Sequence, residues 1–401
     1  MRYLIIGASA AGIACASKLR DLDKESEIVV ISDQKNLPYN KCILADYLAG
    51  NISQDRLFFK KQNFFQDNKI NLLLSTKVIK IEPDKNKILT KSGQEFFYDK
   101  LFLGLGTRAF VPDIVQDIAN IFTFQTFEDI EKISNFIKNN QVKNATIVGS
   151  GLTGLECSDV LSKMGIHVNL VIRSDKIMSK QLDKTGSEFI EKLIKKANIN
   201  LLKNKTIKKI NKNFLIEFSD NTQIQTDMII FATGTIANTE LALSANIKIS
   251  EYLNGIIVNE FMQTNVENIY AGGDVCVIKN ILTNKSMLNH TWPDATMQGF
   301  IAAYNMLGEN RIYPGVLPTT SSNIFNTSFI SCGNINCDIL NTNNFCKIIE
   351  KRDQAFYHKF IIKNNHLIGF LQLGKIENVS KFKEIMLKKE NFLLYFNNYL
   401  Q

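Results

Sequence analysis

The segment LPYNKCILADYLAG, residues 37–50, holds one reactive side chain, Cys42, beside the cation Lys41. The thiolate is the nucleophilic form of cysteine, and both a neighbouring cation and a helix N-terminus favour it. A helix predicted to begin near Ile43 would supply the second influence. Such a thiolate can attack a disulfide or a peroxide. The alternative is a small apolar residue filling a gap, the commoner fate of a free cysteine.

Three glycine-bearing turns serve a different chemistry. Gly7-Ala8-Ser9-Ala10-Ala11-Gly12 follows the apolar strand YLII and opens a helix. Gly7 allows a sharp turn, Ser9 and Ala10 are small enough for backbone amides to reach a pyrophosphate, and Gly12 lets the helix pack on the strand. The phosphates would then meet free N–H groups and the positive end of the helix dipole. Asp33, after the second strand, can take ribose hydroxyls. The second turn, Gly149-Ser150-Gly151-Leu152-Thr153-Gly154, is a full G-x-G-x-x-G. Here Ile172 stands where a ribose carboxylate is expected, and Arg173 follows it. An arginine there can hold a 2′-phosphate, which favours NADPH over NADH; the other reading of Arg173 is a solvated loop residue. In the third turn, AGGDVC, Gly272 and Gly273 permit close backbone approach and Asp274 offers a carboxylate, which alone could be a helix cap.

The elements that position these turns occur twice. YLIIGASAAGIACASKL and ATIVGSGLTGLECSDVLSKMG each read as strand, turn and helix, followed by a second strand in EIVVISD and HVNLVIRSD. From Ile70 and again from Ile199 each copy reads as a short buried strand, a three-strand meander and a glycine-rich strand end. This pattern predicts two nucleotide-binding α/β domains of one type. A connector is expected around Val111–Asn120. After about Pro314 the composition changes, with a hairpin at Asn364–Asn365 and an amphipathic helix from near Ser380, so a small third α+β domain is expected.

The 401 residues carry 47 Lys plus Arg against 39 Asp plus Glu, a net charge of +8 spread along the chain. A dispersed excess suits a solvated surface, anionic nucleotides or an acidic partner protein, and no nucleic-acid motif accompanies it. The seven cysteines lie far apart without a CxxC, so neither a zinc site nor another metal site is expected. Their scatter fits reduced thiols in a cytoplasmic protein. The N-terminal apolar run breaks into strand, turn and a helix with Lys18 and Arg20, which argues against a leader peptide. No stretch is apolar for long enough to span a membrane.

The ordered motifs GASAAG, LGLGTR (103–108), GSGLTGLE, FATGTIANTELA (231–242) and NIYAGGD together resemble the FAD-dependent pyridine nucleotide-disulfide oxidoreductase superfamily. WPDATMQGFIAAYNMLG, from Trp292, is similar to its rubredoxin reductase and nitrite reductase large-subunit branch. The resemblance implies an FAD domain (1–111 and 238–313) interrupted by an NAD(P)H domain (112–237). A C-terminal domain (314–401) would follow, through which relatives often form homodimers. It implies flavin and nicotinamide stacked where the two nucleotide domains meet. It also implies cofactor contacts at Lys41, Val78, Gly106, Arg108, Gly234, Gly273, Asp274, Trp292 and Pro293, with Glu156 near the nicotinamide. Leu105 replaces the usual Thr of the first ATG motif, and Ile236-Ala237 replaces a common Arg-Pro.

Two-cysteine disulfide reductases of this superfamily carry a CxxxxC that is absent here. Cys42 instead resembles the lone cysteine of NADH peroxidase, NADH oxidase and coenzyme A disulfide reductase, without their Ser-Phe-x-x-Cys lead-in. The expectation is an FAD-dependent NAD(P)H oxidoreductase delivering electrons to a redox protein or small acceptor. One alternative is a disulfide or peroxide reductase using Cys42 as a catalytic residue, and another is a flavin-bearing redox sensor or binding protein. His358, His366, Cys332 and Cys337 are expected to be structural.

Overall fold

The computed structural model describes residues 1–113, 120–336 and 346–399. Its backbone forms two compact units. The first comprises Met1–Arg108, Gln125–Phe127 and Thr235–Val316; the second comprises Ala109–Phe124, Glu128–Gly234 and Leu317–Gln401.

The first unit is built on a five-stranded parallel sheet. Its strands lie in the order Ile269–Ala271, Lys100–Leu103, Arg2–Ile6, Glu27–Ile31 and Ile70–Leu73. The central strands are continuous apolar runs because helices and loops cover both faces: Leu4, Ile5, Val29, Val30, Leu101 and Phe102 are all buried. The helices Ala10–Leu22 and Trp292–Met306 pack together so closely that a Cβ on Gly299 would lie 2.2 Å from the Ala11 carbonyl oxygen. The segment carrying NIYAGGD supplies the edge strand of this sheet, Ile269–Ala271.

The second unit repeats this sheet position for position. Its strands run Ile121–Thr123, Met228–Phe231, Asn144–Val148, His167–Val171 and Asn200–Leu202, all parallel. Each half also has its three-stranded antiparallel meander. Both meanders slip register at the same place, between Val78 and Lys80 in one and between Ile207 and Lys209 in the other. Turns between the meander strands place Asn86 and Asn221 in the left-handed conformation that asparagine tolerates.

The C-terminal segment adds a five-stranded antiparallel sheet to the second unit. Its order is Thr319–Ile324, Thr327–Gly333, His366–Leu373, Tyr357–Lys363 and Cys346–Arg352. Phe360, Phe370, Phe382 and Phe392 form its buried aromatic core. The single closing helix expected from near Ser380 is two helices, Val379–Lys388 and Phe392–Tyr399, because Lys389 turns left-handed (φ 52°) and ends the first. Part of the expected connector, residues 114–119, and Cys337 lie outside the described residues. Cys346 is disulfide-bonded, so the expectation of reduced thiols throughout does not hold at that position. Among the described residues no helix is long and apolar enough to cross a membrane.

Candidate functional site

In the first unit Gly7 ends the Arg2–Ile6 strand at φ +108°, where an L side chain is strained, and its N–H donates to the Ile31 oxygen at 2.8 Å. A Cβ on Gly12 would lie 1.8 Å from the Gly7 oxygen, so the strand-to-helix approach requires glycine. Ser9 caps the helix in an extended conformation, but its hydroxyl does not accept from the first turn. The amides of that turn are left for an external anion. Asp33 is exposed two residues beyond the second strand.

The second unit reproduces this geometry. Gly149 has φ +138° and donates to the Val171 oxygen at 3.0 Å, and a Cβ on Gly154 would sit 2.3 Å from the Gly149 oxygen. Gly151 caps Leu152–Lys163 without a side chain, and a Cβ there would meet nothing within 4 Å, which leaves room for a phosphate. Thr153 is exposed on the first turn of that helix. Ile172 is buried while Arg173 is exposed beyond the strand end. Gly234 turns at φ +110° and accepts from the Phe110 N–H at 2.9 Å. Glu156 is half-buried, and its Oε1 accepts from the Ser322 hydroxyl at 2.7 Å.

Asp274 lies beside the first turn, since a Cβ on its neighbour Gly273 would be 3.1 Å from the Ala11 Cβ. The loop is fixed by a side chain that the motif analysis did not single out. Buried Gln298 accepts from the Gly273 N–H at 2.8 Å and donates to Asp294 Oδ2 at 2.8 Å. Asp294 also accepts from Tyr313 and Asn289. Asp294 and Gln298 stand four residues apart on one helix face, a spacing visible in WPDATMQG, but their partner Gly273 is remote in sequence. Burial pushes the Asp274 carboxyl upward, His290 and Lys41 pull it down, and Asp294 adds to the rise; the net direction is up. Lys41 therefore reaches Asp274 electrostatically. Trp292 and Pro293 open the same helix, and the Trp292 ring stands edge-on to Phe59 with centroids 5.0 Å apart.

The other expected contacts are more dispersed. Val78 starts the meander strand where its ladder slips. Gly106 turns at φ +61° and accepts from the Asn238 N–H at 3.0 Å. The Arg108 guanidinium pairs with Glu240 at 2.6 Å and donates to Asn238 Oδ1 at 2.9 Å, so the protein itself engages this cation.

Cys42 is exposed, so it fills no gap in the core. It sits in a single 3-10 turn, Lys41–Ile43, where Asn40 Oδ1 accepts from its N–H at 2.9 Å. The following helix, Leu44–Leu48, begins next to the expected Ile43 and spans five residues, so its dipole is small. The turn is anchored through Tyr39, whose hydroxyl accepts from the Phe127 N–H at 3.1 Å and whose ring packs on Phe58 and Phe127. Cys332 is buried, with the Thr319 hydroxyl 3.4 Å from its sulfur. Buried His358 meets the Lys375 carbonyl at 2.5 Å and half-buried His366 meets that of Glu390 at 3.1 Å, which supports structural roles.

Two uncapped helix N-termini, each behind a glycine turn at the carboxyl end of parallel strands, fit two dinucleotides. Comparison with known proteins agrees. Residues 1–299 match the pyridine nucleotide-disulphide oxidoreductase family, and residues 318–390 match the rubredoxin NAD+ reductase C-terminal domain. An NADH oxidase of Methanocaldococcus jannaschii is 34% identical over 78% of this chain and 72% of its own length. The assimilatory nitrate reductase electron transfer subunit of Bacillus subtilis is 28% identical over 97% of this chain, which spans half of that protein. The structure of reduced Bacillus anthracis CoADR-RHD shares the fold, with TM-score 0.90, 24% identity, and coverage of 97% of this chain and 74% of that one. The chain belongs to the pyridine nucleotide-disulphide oxidoreductase family, and as such is an FAD-dependent NAD(P)H oxidoreductase.

Proposed function

We propose that the protein oxidises NADPH in preference to NADH and passes the electrons to a small acidic redox protein. FAD, when bound, accepts a hydride and can release its electrons singly. The Gly7–Gly12 turn and Asp33 hold that cofactor's pyrophosphate and ribose, and Asp274, Lys41 and the Trp292-Pro293 helix start complete its site. The Gly149–Gly154 turn holds the nicotinamide dinucleotide, Arg173 pairs with a 2′-phosphate, and Glu156 accepts from the nicotinamide carboxamide. The four-segment division at residues 111, 237 and 313 follows these roles. The observation that carries the choice of acceptor is the C-terminal match to a rubredoxin reductase domain. The net charge of +8 supports it, because opposite charge speeds encounter with an acidic carrier. The test is NADPH-dependent reduction of an acidic rubredoxin by the FAD-loaded enzyme over a salt series. Turnover that falls as salt rises supports the proposal; reduction of small disulfides alone would overturn it.

A second reading rests on the exposure of Cys42. Its thiolate attacks one sulfur of a disulfide, expels the other half as thiol, and is restored by two electrons that originate in NADPH. NADPH and one proton thus become NADP+ while the disulfide becomes two thiols.

A further inference from the structure

The second nucleotide helix carries a polar face that the glycine motif does not explain. Glu156, Asp159 and Lys163 recur at spacings of three and four, so they lie along one side of Leu152–Lys163. The hairpin of Thr319–Ile324 and Thr327–Gly333 meets this face. Its two-residue tip, Phe325-Asn326, is left-handed at both positions (φ 51° and 56°), as in a type I′ turn. Asparagine adopts that conformation readily, whereas a bulky residue such as Phe325 must be held in it. The helix supplies the hold. Asp159 Oδ2 accepts from the Phe325 N–H at 3.1 Å, and Lys163 Nζ bridges Asp159 Oδ2 at 2.9 Å and Asn326 Oδ1 at 3.2 Å. With the tip pinned, strand alternation puts Ser322 on the side of buried Ile324. There its hydroxyl donates to Glu156 Oε1 at 2.7 Å.

We infer that Ser322 is a positioning residue for the nicotinamide: it fixes the Glu156 carboxylate in the rotamer that accepts the carboxamide N–H. The inference rests on the reading that Glu156 faces the nicotinamide. An ionised carboxylate only accepts, and it has about four lone-pair sites. The Ser322 proton fills one on Oε1, and the carboxamide N–H takes another. A glutamate fixed in advance loses less rotamer freedom when the dinucleotide binds. The hairpin of the C-terminal sheet thereby contributes to a site whose phosphate cradle lies on the nucleotide sheet of the same unit.

The experiment compares two ligands on the FAD-loaded enzyme: the oxidised dinucleotide, and the matching ADP-ribose or 2′-phospho-ADP-ribose that lacks the nicotinamide. Equilibrium affinities are measured for wild type, Ser322→Ala, Ser322→Thr and Glu156→Ala. Ser322→Ala should weaken the complete dinucleotide about two- to tenfold, the cost of ordering a glutamate that is no longer fixed in advance. It should leave the fragment unchanged, and Ser322→Thr should bind as wild type. The inference is overturned if Ser322→Ala weakens both ligands alike. It is also overturned if Ser322→Ala leaves both unchanged while Glu156→Ala selectively loses the complete dinucleotide. If Glu156→Ala shows no selective loss, the reading of Glu156 itself is wrong, and the role of Ser322 falls with it.

Discussion

The two glycine turns can be separated by two substitutions of one methyl group each. At Gly12 an added Cβ would lie 1.8 Å from the Gly7 carbonyl oxygen, and at Gly154 it would lie 2.3 Å from that of Gly149. Real Cβ contacts essentially never fall under 3.0 Å, so the Gly7–Gly12 turn must open by more than an ångström and the Gly149–Gly154 turn by somewhat less. The obstacle in each case is backbone, which cannot swing aside like a side chain. A displacement of that size moves an N–H donor from about 2.9 Å to beyond the range of a useful hydrogen bond. Two charge-assisted bonds to phosphate, at roughly 1.5–3 kcal/mol each, would be lost, and affinity would fall by roughly 10² to 10⁴. Gly12→Ala should therefore be purified depleted of FAD yet still bind the nicotinamide dinucleotide. Gly154→Ala should keep FAD and lose the nicotinamide dinucleotide. Flavin-to-protein ratio and equilibrium binding read the two effects, and circular dichroism checks that each variant is folded. A Gly12→Ala protein with a full complement of FAD would refute the reasoning, as would a Gly154→Ala protein that loses FAD and retains the nicotinamide site.

Arg173→Glu should move the preference from NADPH towards NADH by roughly 1–3 kcal/mol in kcat/KM; a wild type that already strongly prefers NADH would show that Arg173 pairs with no phosphate. Cys42→Ser should leave rubredoxin reduction at the wild-type rate under the electron-transfer reading, whereas a near-complete loss of disulfide reduction would establish the thiol reading. Lys359→Met strands the half-buried Asp183 carboxylate, whose Oδ2 lies 2.7 Å from the buried Lys359 Nζ, and should cost about 3 kcal/mol because the bonds from Tyr357 and the Gly186 N–H remain; unchanged thermal unfolding would show the pair to be idle. Burial alone would raise the Asp183 pKa, but Lys359, Gly186 and Tyr357 outweigh it and hold it below the usual carboxylate value. Its stabilisation is therefore complete above the unfolded value of about 3.9 and is lost as pH falls below that, so wild-type melting temperature should drop in acid more steeply than that of Asp183→Asn.

The features legible in the sequence are those whose cause is local. A glycine that must turn at positive φ, or admit a helix against a strand, announces itself at a fixed offset from an apolar run, and Gly7, Gly12, Gly149 and Gly154 all did so. The two meanders were legible for the same reason, since Asn86 and Asn221 supply left-handed turns between alternating strands. Contacts made across the fold had no such signal. Gln298 reaches Gly273 from a helix 25 residues on, Ser322 reaches Glu156 across 166 residues, and Arg108 finds Glu240 rather than presenting a free cation. The break at Lys389 was missed because the apolar spacing continues through Phe392, and only the left-handed backbone divides the two helices. At Cys42 the sequence shows where the turn begins but not that the helix after it stops at Leu48.

The strand order of the two sheets dictates which can close first on the ribosome. The first sheet takes its edge strand from Ile269–Ala271, beside Lys100–Leu103, and the helix that covers Ala10–Leu22 is Trp292–Met306. At about 5–20 residues per second, the roughly 165 residues between those paired strands take roughly 10–30 s to make. For that interval the Lys100–Leu103 edge and one flank of the Ala10–Leu22 helix have nothing to pack against. The corresponding edge of the second sheet, Ile121–Thr123, is synthesised ahead of its neighbour, so that sheet can close once Phe231 has emerged. The amino-terminal sheet is thus translated first and completed second, and its exposed apolar edge is where a nascent-chain chaperone would be needed.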